Sequence, residues 1–542
     1  MPVGGKWYSY RNMVRKINWD AAHHLTDEKQ TLAHLILEDV RQGVEVMEAI
    51  RRHPGEEGHI SKAMLVSTYH HLVETGGWQE EPDLLRRIRM KPMRTLSGVT
   101  TVSVLTKPYP CPAQCLFCPV DERMPKSYLP DEPGAMRAVE HAFDPYAQVH
   151  SRLESLEAVG HPTDKVEVLI LGGTWSAYRR DYQEWFVLRC LDALNGTDSS
   201  NLAAAQSLNE TARHRNVGLV VETRPDEIDK KEIAWLRQLG VTKVQMGAQS
   251  LDDRILALNQ RGHTVADTER AVVLLRAAGF KVVLHWMPNL LGATPDSDRL
   301  DFPRLWKNLC PDEIKIYPCQ LLENAPLYAY WQRGEYQPYS QEQLVSLLAD
   351  IKPGIPRYCR VNRVIRDIPS THVVSGNKRT SLRQDVQAEL ERRGTHCGCI
   401  RCREVRGSAV TDASLTRQDM VYPAGGTEEH FISFVTDQDR IAGFIRLSLP
   451  GEESPPTGLS DLEEAAIIRE VHVYGQSLSL GTEANGAAQH SGLGTRLISA
   501  AQETARQKGY RRLAVIAAVG TRRYYLARGF QRGSHYLVMS LE

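Results

Sequence analysis

The chain has 542 residues, 42% hydrophobic and 24% charged, proportions that exclude a disordered chain, a collagen and a coiled-coil rod. At roughly 150 residues per domain, that length predicts three or four domains. Lys plus Arg and Asp plus Glu both number 66, and this balance excludes a protein coated in basic charge while leaving room for a local basic patch.

Residues 1–80 predict a helical region, with apolar residues at helical spacing in LAHLILEDVRQGVEVMEAI. Near its start Trp7, Tyr8 and Tyr10 lie beside Arg11, Arg15 and Lys16, a mixture suited to stacking on unpaired bases. The opening MPVGGKWYSYRNM has no apolar core, so no signal peptide is expected, and no apolar run approaches the ~20 residues that span a bilayer. Arg86, Arg87, Arg89, Lys91, Arg94 and Lys107 follow with no acid between 86 and 107, a candidate phosphate-binding stretch. A solvated basic face explains the same composition equally well.

Residues 81–375 alternate β-rich runs (TTVSVLT, KVEVLILGG, NVGLVVET, KVQMGAQS, FKVVLHWMP, EIKIYP) with helical stretches, which predicts βαβ units on a parallel sheet. Six strands suit a partial (β/α) barrel better than a complete eight-stranded one. Residues 376–407 read as a charged linker with eight basic and four acidic residues between 378 and 406. Residues 408–542 change texture: HFISFV, IAGFIRLSL, AAIIREVHVYG, RRLAVIAAV and HYLVMSL read as strands, with helices after QHSGLG and at TRRYYLARG, giving an α+β domain. No internal repeat is evident.

Six of the ten cysteines form two tight triplets, which is unlike a disulfide scaffold and implies a reducing, cytoplasmic setting where clustered thiols mean metal or catalysis. Cys111, Cys115 and Cys118 follow C-x3-C-x2-C directly after the first barrel strand, and three thiolates on one loop suit a [4Fe-4S] cluster with one iron left open. A zinc site normally takes four protein ligands, and no fourth is local. Gly172, Gly173 and Thr174 end the second strand about 55 residues later, at the edge where barrel sites form. Cys397, Cys399 and Cys402 predict a zinc site with Cys310 as the preferred fourth ligand and Cys319 or His396 as alternatives. Cys190 and Cys359 read as packed thiols. Gln489, Gly492, Leu493, Gly494 and Thr495 form a glycine turn opening a helix, where free N–H groups can bind a pyrophosphate. A dinucleotide loop would need G-x-G-x-x-G in a βαβ context.

The first triplet, with Phe117 before its last cysteine, resembles the radical S-adenosylmethionine superfamily signature, in which the Gly-Gly element contacts the methionine amino group. The C-terminal turn resembles the acetyl-CoA pyrophosphate loop of Gcn5-related acetyltransferases, in which a tyrosine such as Tyr524 or Tyr525 lies near the thioester. With SYLPDEPGAMRA, FDPY, VETRPDEI, GAQSLDD, RGHT, DEIKIYP, VNRVIRDIPS, GNKR and EVHVYG, nearly the whole chain resembles the Elongator catalytic-subunit family of prokaryotic type. Ile365 departs from that pattern, standing where a Gln is usual. The resemblance implies a radical barrel fused to an acetyl-CoA-binding domain that carboxymethylates C5 of the wobble uridine in a tRNA anticodon loop. On that reading Glu470, Val471, His472, Val473, Leu493, Gly494, Thr495 and Tyr525 contact acetyl-CoA, and Lys165 reaches it from the barrel side. A lysine acetyltransferase with a structural cluster, or a binding module for acetyl-CoA and tRNA, are the rival readings.

Overall fold

The β-rich runs become strands with little change in their bounds. They are β1 (Thr100–Leu105), β2 (Lys165–Leu171), β3 (Arg215–Thr223), β4 (Lys243–Gln249), β5 (Lys281–Trp286) and β6 (Glu313–Ile316), which pair parallel in that order, with helices in each connection. The computed structural model describes residues 26–55, 58–91, 95, 97–307, 309–406, 414–474 and 492–542. Every residue of β4 is buried, as a parallel strand covered on both faces requires. Capping follows the sequence: Thr264 and Asp267 form a capping box that starts the helix Val265–Ala277. Beyond a short antiparallel pair, β7 (Leu321–Leu322) with β9 (Val373–Ser375), a seventh parallel strand, β8 (Arg360–Arg363), adds to β6. The residues RVNR of β8 carry no apolar alternation, so pairing alone makes them a strand.

Two compact units divide the chain, one of residues 1–94 with 154–162 and one of the rest. The first holds the helices Asp27–Arg41, Val46–Arg52, Lys62–Glu74 and Pro82–Ile88 around Ile36, Leu37, Val40, Leu65 and Ile88. The 376–407 stretch is partly ordered as helix Leu382–Arg392, because Leu382, Val386 and Leu390 recur every four residues and are buried, and as the short helix Ile400–Arg403.

The C-terminal part of the second unit is a mixed sheet. Its strands are β10 (Thr416–Ala424), β11 (Thr427–Val435), β12 (Ile441–Pro450), β13 (Ala465–Val473), β14 (Arg512–Val515), β15 (Gln531–Arg532) and β16 (Leu537–Ser540). Its ladder is antiparallel except between β13 and β14, whose parallel pairing needs the crossover helix Leu493–Gln507. Among the described residues no helix is long and apolar enough to cross a membrane.

The barrel and this sheet are joined through buried charge. Arg469 on β13 pairs with Asp312 just before β6 and with Glu429 on β11, each at 2.7 Å. Arg446 on β12 binds Glu470 at 2.9 Å and Asp312 at 3.4 Å. Lys281 at the head of β5 pairs with Glu313 at 2.5 Å and with Glu470.

Candidate active site

The first cysteine triplet lies where β1 hands over to its loop. Leu116 donates to Asn259 O and Val120 to Asn324 O, so backbone bonds to two other loops fix the turn. Cys115 is buried, and Arg261 Nη1 lies 3.5 Å from its Sγ. The Cys118 thiol donates to Cys115 and, with the Arg261 charge adding, holds the Cys115 thiol at about 5 although burial opposes it. The same hydrogen bond and burial push Cys118 up. Cys111 Sγ stands 3.6 Å from Thr174 Oγ1, which joins the triplet to the Gly-Gly element. Gly172 and Gly173 have φ of +134° and +94°, and a Cβ on Gly172 would strike the Thr106 side chain, so both glycines are required by the backbone itself.

Sequence reasoning missed the opposite wall of this site. Arg261 Nη2 donates to Gly247 O at 2.9 Å, while its Nε is buried without a partner among the described residues. His263 is only 6% exposed, both of its ring nitrogens lack a partner among the described residues, and burial followed by the Arg261 and Arg224 charges pushes its pKa down to about 3. Gln249, at a φ of +68°, adds an Oε1 with no partner among the described residues. Buried polar atoms without partners are costly, and such a group of them beside three thiols fits a polar small molecule. The strings VETRPDEI, GAQSLDD and RGHT hold these residues, but the sequence assigns none of them a role.

The two triplets differ in spacing. Among the described residues only Cys397, Cys399 and Cys402 bring three ligand atoms within 4.8 Å of one another. Thiolates around one tetrahedral ion gather in this way, whereas those on a cube bind different irons and stand farther apart. Cys399 accepts from both neighbouring thiols, which holds it well below the usual thiol range. Cys310 does not join this group, which corrects the expectation of it as fourth ligand. It sits at a φ of +43°, with its thiol directed to Trp306 O at 3.4 Å and Pro423 O at 3.8 Å, across the seam to β10. Cys319 packs with Leu116 and Leu290, and His396 is exposed outside the cluster. The Cys359 backbone is tied to this segment, its carbonyl accepting from Ile400 N at 3.0 Å.

The helix Leu493–Gln507 starts at Gly492, whose φ is +71°. A Cβ on Gly494 would collide with the Tyr524 hydroxyl. Arg528 lies 3.6 Å from the centroid of the Tyr524 ring and donates to Thr495 Oγ1 at 3.0 Å. This places a cation at the helix N-terminus, where a pyrophosphate is favoured. Arg528 was not foreseen. Leu493 and Tyr525 are buried, and Tyr525 meets Tyr524 edge-on at 5.3 Å. Glu470 is engaged by Lys281 and Arg446, so its side chain serves the seam. Val471, His472 and Val473 are the half-buried last three residues of β13. Burial pushes His472 down to about 4, and its Nε2 has no partner among the described residues. Gln489 lies outside the described residues, as do Trp7, Tyr8, Tyr10, Arg11, Arg15 and Lys16.

Lys165 opens β2 opposite Arg215, and Gly520, in the short 3-10 turn Val519–Thr521 after β14, packs directly on Arg215 and Asn216. Burial pushes its ammonium below the usual value. The cysteine triplet and Gly172 therefore stand at the C-terminal ends of the barrel strands, while Lys165, Lys281 and Glu313 face the C-terminal sheet from the N-terminal ends. Of the basic stretch, Arg87 donates to Val44 O at 2.7 Å and Arg89 to Gly160 O at 2.6 Å within the first unit. Arg86 pairs with Asp83 at 3.2 Å, Lys91 is exposed, and Arg94 lies outside the described residues.

Comparison with known proteins agrees with this layout. Residues 109–301 match the Radical SAM superfamily, 311–392 the Radical SAM C-terminal domain and 404–530 the Acetyltransferase (GNAT) family. A tRNA uridine(34) acetyltransferase of Dehalococcoides mccartyi (strain CBDB1) is 42% identical over 461 residues, 83% of this chain and 99% of the relative. Elongator complex protein 3 of Drosophila melanogaster is 36% identical over 481 residues, 85% of this chain and 86% of the relative. The structure of Methanocaldococcus infernus Elp3 with an N-terminal deletion aligns with a TM-score of 0.72 at 35% identity, covering 82% of this chain and 99% of that one. With a cysteine triplet at one end of a partial parallel barrel and a GNAT sheet at the other, this chain belongs to the Elongator complex protein 3 family.

Proposed function

We propose that this protein is a radical enzyme that builds a carboxymethyl group on C5 of the wobble uridine of tRNA, drawing the two carbons from acetyl-CoA. The observation that carries the reading is the pairing, in one compact unit, of a C-x3-C-x2-C triplet at the strand ends with a helix N-terminus that opens at Gly492 beside Arg528. Ordinary acyl transfer joins an acceptor to the carbonyl carbon, so it forms no bond between the acetyl methyl and uracil. When bound, a [4Fe-4S] cluster with S-adenosylmethionine supplies the one-electron chemistry that activates such a methyl group.

The chain's own residues divide the remaining work. Cys111, Cys115 and Cys118 hold the cluster, and Gly172, Gly173 and Thr174 admit the methionine end of S-adenosylmethionine beside it. Gly492, Leu493, Gly494 and Thr495 bind the pyrophosphate through their N–H groups, with Arg528 adding charge. Tyr525 stands on the thioester side, Val471 to Val473 line the acyl arm, and Lys165 reaches the donor across the seam. Carbon–carbon bond formation leaves a thioester, which hydrolysis converts to the carboxylate. Cys397, Cys399 and Cys402 hold a zinc ion that braces the connection between barrel and sheet.

The test is anaerobic incubation of the reconstituted protein with tRNA, acetyl-CoA and S-adenosylmethionine, followed by mass spectrometry of the nucleosides. The expected product is 5-carboxymethyluridine. It should vanish in Cys115→Ala, and tRNA-stimulated acetyl-CoA hydrolysis should vanish in Lys165→Ala. Acetylated lysine peptides without a nucleoside product would overturn the reading in favour of protein acetylation.

A further inference from the structure

An aromatic ladder leads up to the first cluster cysteine, and none of the roles above uses it. Tyr109, two residues before Cys111, stacks on Tyr178 with centroids 4.7 Å apart and 30° between the ring planes. Tyr178 stacks on Tyr182 at 5.2 Å and 23°, and Tyr182 meets Trp185 at 5.6 Å. The middle of the ladder is fixed. Tyr178 is buried, its hydroxyl donates to Lys107 O at 2.7 Å and pairs with Thr106 Oγ1 at 2.8 Å. Lys107 N donates to the Tyr182 hydroxyl at 3.2 Å, and Lys107 Nζ lies 4.8 Å from the centroid of that ring.

The outermost ring is different. Tyr109 is 37% exposed, and among the described residues the only ring that stacks on it is Tyr178. A rigidly backed aromatic face turned to solvent is the form of platform on which nucleobases stack. Its surroundings carry the matching charge: Lys107 is exposed beside it, and Arg179 is exposed nearby, with Asp181 as its partner. Its position is equally specific. Tyr109 sits on the loop that carries Cys111, whose Sγ is 3.6 Å from Thr174, so the ring stands at the rim of the radical site. A target base must leave its stack to reach such a site, which leaves its neighbours in the loop unstacked.

We propose that Tyr109 is a stacking platform for a loop nucleobase flanking the target uridine, with Lys107 meeting the adjoining phosphate. This rests on the tRNA reading above and deepens it by naming where the anticodon loop is held open. Stacking on an aromatic is tolerant of base identity, so the platform positions the loop rather than reading its sequence.

The experiment uses the full chain with its cluster reconstituted and an anticodon stem-loop RNA. 2-Aminopurine replaces each base next to the target uridine in turn, and its fluorescence reports stacking. The native protein should quench one flanking position. Tyr109→Ala should abolish that quench and weaken binding about tenfold, within the range for loss of one stacked base. Tyr109→Phe should keep both, because the ring rather than the hydroxyl acts. Tyr109→Leu repeats the test with an apolar side chain should the alanine variant fold poorly. Trp185→Ala, at the far end of the ladder, should leave the quench intact.

Quenching that survives in both Tyr109→Ala and Tyr109→Leu, or is absent at every loop position of a bound native complex, would overturn the platform alone. So would equal loss in Trp185→Ala, which would place the effect in the packing of the ladder. A native protein that fails to bind the stem-loop at all would instead overturn the tRNA reading on which the platform rests.

Discussion

At the scale of single residues, what could be read in advance was the chemistry that is local in the chain. Cysteine triplets and glycine pairs declare themselves by spacing, and the structure supplies the reason for Gly172. At a φ of +134° any side chain is strained, and its Cβ would also meet Thr106, whose N–H donates to Leu171 O. Gly172→Ala should therefore cost on the order of 1–3 kcal/mol, strain and overpacking together. A fall in Tm of several degrees, with weakened S-adenosylmethionine binding by calorimetry, is expected. An unchanged Tm would show that the turn can adopt another conformation. Arg261, His263 and Arg528 could not be read in the same way. Arg261 and Arg528 meet Cys115, Gly247 and Thr495, which only the fold brings close, His263 is set beside them by its burial, and a lone Arg or His in sequence has no spacing to betray it. Cys310 does not gather with the second triplet for the converse reason: proximity to a strand in sequence says nothing about which side of the seam its thiol faces.

At the scale of elements, β1 to β6 were legible because each carries buried Val, Leu, Ile or Met at short spacing between turns and helical stretches, whereas β8 and the edge strand β10 are mostly polar and exposed or half-buried and carry no such signature. The helix Leu493–Gln507 was legible from its glycine turn, and it allows affinity and stability to be separated. Inside a helix Ala is favoured over Gly by about 1 kcal/mol. Gly494→Ala, at the second position of this helix, gains that propensity but drives a Cβ into the Tyr524 hydroxyl, which must move away together with the Arg528 that lies over its ring. The two effects on folding oppose each other, so Tm should change little. Acetyl-CoA affinity should fall about tenfold, because both the approach of the backbone and the placement of the cation are disturbed. Titration calorimetry beside a thermal melt separates these outcomes. Equal affinity would mean that the pyrophosphate does not use this turn.

At the scale of the whole second unit, the buried seam decides how barrel and sheet behave together. Glu167, Asp312, Glu313, Glu429 and Glu470 face Lys243, Arg276, Lys281, Arg446 and Arg469, five charges of each sign. Burial by itself would raise the carboxyl pKa values, but the Arg469 and Arg446 charges override it and hold Asp312 well below the usual range. Glu313, Glu429 and Glu470 are lowered as well. Groups with depressed folded pKa values stabilise the fold fully above the unfolded value of about 4, and that contribution drains away as the pH falls below it. The native protein should therefore unfold in one acid transition in which barrel and GNAT sheet are lost together. Replacing a whole buried ion cluster with apolar residues is often close to neutral, but removing one partner strands the others. Arg469→Met leaves Asp312 and Glu429 short of their nearest cation and should cost about 3–5 kcal/mol at pH 7. The loss should shrink in acid, because Asp312 and Glu429 would then titrate closer to their ordinary values and protonation would relieve the uncompensated charge. Urea unfolding of both proteins at pH 7 and near pH 4, followed by fluorescence and circular dichroism, measures the difference. A variant as stable as the native chain at pH 7, or a native chain whose two parts unfold in separate steps, would show that the seam does not couple them.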